Sequence, residues 1–339
     1  MENIFNVVII GAGSIGALKD SRYDNPDNPE QILTHAHAFS EHPSFNLFGI
    51  IDVDSEKALK AHDKWGFDSV STGVKFFHGK VVDVVVIATP TLTHKKVLSE
   101  VLHYLNPKVI VLEKPVGSTI KETEEIEEIV RVDAIMNDRS YIIDYIRRFV
   151  YQTREIKQAI EKNLFGTIYD IVIRYTRGIR HEACHAIDMV CNLLGIQHQD
   201  ELEIKILPYQ LKDGHEGDPS LTVHMVHDKC KNIVFLPSDG KHHSIFEIEI
   251  HCDAGKFILE NHGALLRHIK VVQEKIYGNY YNLDSDYFKV EKTNIHTALF
   301  GLTENVLGCI NKTQEPECSI SDAVLVQQIL ENIMKKHNG

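Results

Sequence analysis

No stretch of the chain reaches the roughly 18 apolar residues of a membrane-spanning helix. The longest dense run, Val81 to Ala88, is strand-sized and contains Asp83. The start of the chain lacks the basic segment of a secretory signal, and Phe5 to Ile10 runs directly into a glycine motif. Basic residues are in deficit. Lys+Arg 36 against Asp+Glu 48 leaves a net charge of −12, which removes any general attraction for nucleic acid or an anionic membrane. CxxC spacing is missing as well. Cys184, Cys191, Cys230, Cys252, Cys309 and Cys318 therefore read as reduced, mostly buried thiols of a cytoplasmic protein. There is no internal repeat and no low-complexity segment.

What is present is the make-up of a globular protein. Apolar residues are 43% and charged residues 25% of 339, which excludes a largely disordered chain and suggests about two domains. Strand and helix patterns alternate through the first part. Asn6 to Ile10, Phe45 to Ile51, Val81 to Ala88, Lys108 to Leu112 and Tyr141 to Ile146 read as strands. Thr34 to Glu41, Ser55 to Trp65, Thr93 to Tyr104 and Ser118 to Val132 read as helices, with Thr34 and Ser55 as caps. This rhythm predicts a doubly wound parallel sheet over residues 1–146. From Arg147 the pattern changes. After helices at Gln152 to Asn163 and near His185 to Leu194, strands cluster between Glu201 and Glu260. Residues 147–339 are thus expected to form a C-terminal α/β domain with a large open, mainly antiparallel sheet, serving substrate binding and oligomerisation.

Gly11-Ala12-Gly13-Ser14-Ile15-Gly16 is GxGxxG directly after the first strand. The first glycine permits the tight turn, the second lets backbone approach a pyrophosphate, and the third allows close packing, with the phosphate at a helix N-terminus. Asp52 ends the second strand, where a carboxylate can accept from both adenosine ribose hydroxyls. Its charge repels a 2′-phosphate, which favours NAD over NADP. Asp54 competes for that role. Asp52 lies later than the usual ~20 residues after the glycines, because the polar stretch Lys19 to Glu30 intervenes. That stretch is either a lid or a surface loop.

Three further segments carry a resemblance. Ala88-Thr89-Pro90-Thr91-Leu92-Thr93-His94 resembles the ATPxxxH turn of the Gfo/Idh/MocA oxidoreductases, Glu113-Lys114-Pro115 resembles their EKP motif, and His185-Ala186-Ile187-Asp188 resembles their HxxD segment. The resemblance implies a Rossmann domain followed by an open-sheet domain, an active site at the carboxyl ends of the Rossmann strands, and hydride transfer between NAD(P) and a sugar, sugar-nucleotide or cyclitol hydroxyl. It also implies a homodimer or homotetramer. Within it, Lys114 lies near the nicotinamide and polarises the reacting oxygen, and His185 takes the hydroxyl proton. Thr89, Pro90, His94 and Glu113 join Ser14, Ile15, Asp52 and the glycines at the cofactor.

One position departs from that pattern. The family commonly has Asp four residues before the histidine, where this chain has His181. Helical spacing would put His181 and His185 on one face, making His181 an orienting group, a substrate contact or the base itself. It also leaves open a regulator that binds NAD or sugar without turnover. The segment His181-Glu182-Ala183-Cys184-His185 matches HExxH, but no third zinc ligand motif follows and zinc peptidases lack a Rossmann start, so no metal is expected. Arg148, Arg177 and Arg180 are candidates for holding an anionic substrate group.

Overall fold

A computed structural model describes residues 3–276 and 278–338, the side chains of 285–287 excepted. The chain divides into two units, Met1–Phe149 with His296–Val324, and Val150–Ile295 with Leu325–Gly339. Among the described residues no helix is long and apolar enough to cross a membrane.

The first unit carries strands β1 (Phe5–Ile10), β2 (Phe45–Ile51), β3 (Val70–Ser71), β4 (Val84–Ile87), β5 (Val109–Glu113) and β6 (Ser140–Asp144). They form one sheet in the order β3-β2-β1-β4-β5-β6, every pairing parallel. Helices α1 (His35–Glu41), α2 (Ser55–Trp65), α3 (His94–Tyr104) and α4 (Ile120–Asn137) fall between strands. β4 is buried along its whole length, as a parallel strand covered on both faces requires. It starts three residues later than its apolar pattern suggests. Asp83 accepts the Asn6 N–H at 3.0 Å and pairs with Lys108 at 2.9 Å, and Val81 is exposed. Thr34 caps α1 through the His37 N–H. Asp54, not Ser55, caps α2, accepting from the N–H groups of Glu56 and Lys57.

The glycine loop does not open directly into a long helix. Gly13 to Leu18 makes a single turn, with Ala17 and Leu18 both donating to the Gly13 carbonyl at 3.0 and 2.9 Å. The helix resumes at α1, where His35 N–H donates to Ile15 O and Ala36 N–H to Gly16 O, each at 2.9 Å. In an uninterrupted helix those two bonds would come from residues 19 and 20. The intervening residues are therefore looped out of one helix. This segment is tied down by Asp24, which is fully buried. Asp24 accepts from the Leu33 N–H at 3.1 Å, Thr34 Oγ1 at 2.9 Å and His37 Nδ1 at 2.8 Å, and Lys64 Nζ lies 3.5 Å away.

The second unit begins with α5 (Tyr151–Glu161), β7 (Ile168–Tyr175) and α6 (Ala183–Leu194). It continues through β8 (Glu203–Leu211), β9 (Ser220–His227), β10 (Cys230–Pro237), β11 (Phe246–Cys252), β12 (Gly255–Glu260), β13 (Leu265–Gln273) and β14 (Tyr281–Lys292). The eight strands lie in the order β14-β13-β12-β11-β7-β10-β9-β8. β7 and β10 pair parallel, and the other neighbours pair antiparallel. The sheet is larger than the sequence pattern indicates. The described side chains of β14 and the last four residues of β13 are mostly exposed, so these strands lack the apolar alternation that reveals a half-buried strand.

After β14 come α7 (Ala298–Ile310) and α8 (Ile320–Asn338). The sequence reading puts everything after 147 in one domain, but His296–Val324 divides with the first unit. The reason is apolar packing. Leu299, Leu302, Val306 and Cys309 of α7 share a buried cluster with Phe39, Phe45 and Phe149. At Gly301 a Cβ would lie 2.5 Å from the Phe149 carbonyl, so a side chain there would push the helix off this core. All six cysteines are buried thiols.

Candidate functional site

The sheet order turns around at β1 and β4, the crevice where open α/β sheets bind ligands. Gly11 enters it at φ +103, and a Cβ there would lie 2.5 Å from Ala88 O. At Gly16 a Cβ would lie 1.9 Å from Gly11 O. Both positions exclude any side chain. Gly13 differs, since nothing lies within 4 Å of its would-be Cβ, so bare backbone faces open space. A cavity of about 390 Å³ lies there, lined in part by Gly11, Gly13, Asp52, Thr89, Pro90 and Thr93. Lys57 of α2 and Lys96 of α3 also line it, and sequence reasoning named neither. Ser14 and Ile15 sit in the single turn that follows, and the Ile15 carbonyl is taken by His35 N–H.

Asp52 does more than border this cavity. Its Oδ2 accepts the Ala12 N–H at 2.8 Å and its Oδ1 the Asp54 N–H at 2.9 Å. One carboxylate thus fixes the glycine loop to the end of β2, and each oxygen keeps a second lone pair for a hydroxyl. Asp54 caps α2 through its Oδ1 and, unlike Asp52, is not among the residues lining the cavity.

The turn after β4 is braced from inside. Thr93 Oγ1 donates within 2.7 Å of Pro90 O and lies 2.9 Å from Thr89 Oγ1. His94 is fully buried. Its Nε2 is 2.8 Å from Thr89 O and its Nδ1 3.1 Å from Val116 O. Both ring nitrogens are thereby engaged with backbone, so His94 joins the Thr89 turn to the loop after Lys114 and is not among the residues lining the cavity.

Glu113 ends β5 and Lys114 follows it, next to Asp144 at the end of β6, with which Glu113 is in register. Glu113 Oε1 is 2.9 Å from His35 Nε2, and Asp144 Oδ2 is 3.6 Å from the same nitrogen. The three side chains bring their ligand-type atoms within 4.8 Å of one another. Burial and the neighbouring Glu113 charge hold the Asp144 carboxyl well above the usual carboxylate range. Burial works in the same direction on Glu113, but the His35 hydrogen bond and charge, with Lys114 nearby, outweigh it and lower its pKa. His35 and Asp144 carry no motif. Position alone, as the polar residue closing an apolar strand, could have flagged Asp144.

In the second unit, the loop between β7 and α6 presents the histidines. Asp218 accepts the N–H groups of Arg180 and His181 at 2.8 and 2.9 Å. Gly178, at φ +95, makes that approach possible, because a Cβ there would sit 2.2 Å from Asp218 Oδ2. α6 begins only at Ala183, so His181 lies before it, and the expectation of two histidines on one helix face is corrected. Glu182 is paired with Arg177 at 2.6 Å. Among the described residues the only grouping with metal-ligand potential is His35, Glu113 and Asp144, so the HExxH spelling does not assemble a site. Every residue of α6 is buried except His185, which is half-buried. His215, which sequence reasoning missed, packs its ring edge-on against His181 with centroids 4.8 Å apart.

The arginines separate. Arg148 is buried and bonded to Asp322 at 3.1 Å and to the Glu317 carbonyl at 3.2 Å. Its guanidinium is thus committed to the fold, and its assignment to substrate is corrected. Arg177 and Arg180 remain partly exposed, paired with Glu182 and Glu331.

Strand order, glycine loop and strand-end carboxylate together define the dinucleotide-binding class of Rossmann domains. Residues 5–134 match the model of the GFO_IDH_MocA oxidoreductase family, NAD-binding Rossmann fold, so it is this N-terminal domain that resembles the Gfo/Idh/MocA proteins. An inositol 2-dehydrogenase of Renibacterium salmoninarum is 24% identical over 166 residues, 48% of this chain and 43% of that protein. The chain spans less than half the length of the curated relatives it matches. Two solved structures share the fold along almost the whole chain. One is levoglucosan dehydrogenase in complex with NADH and levoglucosan (TM-score 0.74, 14% identity, 99% of this chain and 98% of that one). The other is a super-repressor mutant of Gal80p from Saccharomyces cerevisiae (TM-score 0.74, 14% identity, 99% and 96%).

Proposed function

We propose that the protein is an NAD-dependent oxidoreductase acting on a hydroxyl of a sugar, sugar nucleotide or cyclitol. The observation that carries this reading is the cavity over Gly13, bordered by Asp52 and the Thr89-Pro90 turn, on a domain of an NAD-binding oxidoreductase family. The residues fit the dinucleotide. Gly13 leaves room for close approach of a pyrophosphate, and the Asp52 carboxylate keeps acceptor capacity for ribose hydroxyls while opposing a 2′-phosphate. When bound, the nicotinamide supplies the hydride acceptor or donor. In the direction of oxidation, Lys114 donates a hydrogen bond to the reacting oxygen as negative charge develops on it. His185, or His181 in its place, takes the hydroxyl proton. Arg177 and Arg180 favour a substrate with an anionic group.

Exposed Tyr209 of β8, Val271 of β13, and Leu283, Phe288 and Val290 of β14 support self-association through the second unit's sheet. The six buried thiols support a reducing, cytoplasmic setting. A screen of sugars, cyclitols and sugar nucleotides with NAD, read by the near-ultraviolet absorbance of reduced nicotinamide, tests the reading. The likeness to Gal80p and the exchange of Asp for His181 favour one second reading, a regulator without turnover. Saturable sugar or NAD binding with no absorbance change across the screen would select it.

A further inference from the structure

The first unit contains a buried group of charges that the proposed chemistry does not use. His35 is fully buried and the Glu113 and Asp144 side chains are 13% and 3% exposed. They come from three separate elements, the start of α1 and the ends of β5 and β6. Asp144 Oδ1 and His35 Nδ1 are buried with no hydrogen-bond partner among the described residues. Two carboxylates cannot both stay ionised in such a place at ordinary cost. Something must compensate, and the choice is a proton or a cation.

We infer that Glu113 and Asp144 share a single proton, held on Asp144 beside the His35–Glu113 hydrogen bond, and that this neutral-acid partner positions the adjacent Lys114. The 2.9 Å separation of His35 Nε2 and Glu113 Oε1 is that of a direct hydrogen bond. Glu113 and Asp144 lie opposite each other in the β5–β6 register, and a carboxylate oxygen of each lies within 4.8 Å of the other. His35 from α1, Glu113 from the end of β5 and Lys114 just after it all bear on Asp144. With one proton present, Lys114 has a single carboxylate charge behind it, so the pull on its ammonium toward the cluster is weaker. A second charge on Asp144 would draw the ammonium back into the cluster. His35, Glu113 and Asp144 are then positioning residues, and Glu113 acts on the cofactor site through Lys114. The consequence for catalysis rests on the dehydrogenase reading, whereas the shared proton does not.

The test compares the wild type with Asp144→Asn and Asp144→Ala, using metal-analysed whole protein. A carboxyl that stays protonated in the fold destabilises it as pH rises above the ordinary carboxylate range. Asparagine copies the neutral acid and cannot ionise. The melting temperature of Asp144→Asn should therefore gain on the wild type by at least ~3 °C between about pH 5.5 and pH 8.5. A constant difference across that range would overturn the shared proton. So would a stoichiometric divalent metal whose removal by a chelator lowers the wild-type melting temperature. These arms need no turnover, so an inactive protein leaves them decisive. If the protein oxidises a sugar, Asp144→Asn should keep most of its turnover and extend it to higher pH, while Asp144→Ala loses at least ~10-fold. Equal turnover and equal alkaline limits in all three proteins would overturn the positioning role.

Discussion

Asp52 Oδ2 accepts the backbone N–H of Ala12 at 2.8 Å, so the acidic residue that borders the cavity over Gly13 also holds the glycine loop. On the proposed function, cofactor preference and loop geometry are therefore carried by one side chain. Asp52→Ser combined with Val53→Arg should move preference from NAD toward NADP by about 10²-fold, as repulsion of the 2′-phosphate becomes attraction. Titration with both dinucleotides checks this, and a wild type that already prefers NADP would refute it. Asp52→Ala alone should also cost about 1–3 kcal/mol of stability, since the Ala12 N–H loses its acceptor.

Lys114→Met should lower turnover by at least ~10²-fold, the scale for losing one donor to a developing oxyanion. NAD affinity, carried mainly by the glycine loop, should change little. Steady-state kinetics beside a binding titration separates the two effects.

The two histidines can be told apart by substitution. If His185 accepts the proton, His185→Ala loses about 10²–10⁴-fold in turnover and His181→Asp keeps substantial activity. If His181 is the base, the pattern inverts. Unimpaired activity in both the Lys114 and the His185 variants would remove the mechanism altogether.

Asp24 gives a stability prediction with a defined sign. Burial opposes its ionisation, but hydrogen bonds from His37, Leu33 and Thr34 prevail and hold its carboxyl below the ordinary aspartate range. A depressed folded-state pKa contributes stability that is present above the unfolded value and is lost as pH falls through the acid range. Asp24→Asn should cost about 2–4 kcal/mol at neutral pH, with the deficit shrinking below about pH 4. Melting curves from pH 3 to pH 7.5 would show it, and a deficit independent of pH would refute it.

Reductant should leave the melting temperature within about 1 °C, because buried thiols close no loop. A drop of many degrees would show a disulfide.

Much of this architecture was legible from local chemistry. The β-branched runs of β1 and β4, the glycine loop and Thr34 as a cap announce themselves by residue type and spacing, whereas Glu113-Lys114-Pro115 stands out only by its resemblance to a family motif. The failures have physical causes. Ser55 looked like a cap because any small polar residue does, yet Asp54 had the better acceptor. His181 seemed helical because period alone carried the inference, whereas Asp218, 37 residues on in sequence, holds its N–H in a turn. Arg148 looked available because a pair of arginines after a strand gives no hint of the half-buried Asp322 that pairs with it. His35 stayed hidden because the looped-out segment displaced it from the glycines it packs under.

That displacement has a consequence for how the domain holds together. α1 is kept in register with the glycine loop by the His35–Ile15 and Ala36–Gly16 bonds, not by the covalent chain that joins them. A backbone cut between residues 25 and 31 would leave Asp24 on one fragment and His37, its principal partner, on the other. The two pieces should then remain docked as a nicked but native domain, making this segment a natural seam for splitting the protein into complementing fragments.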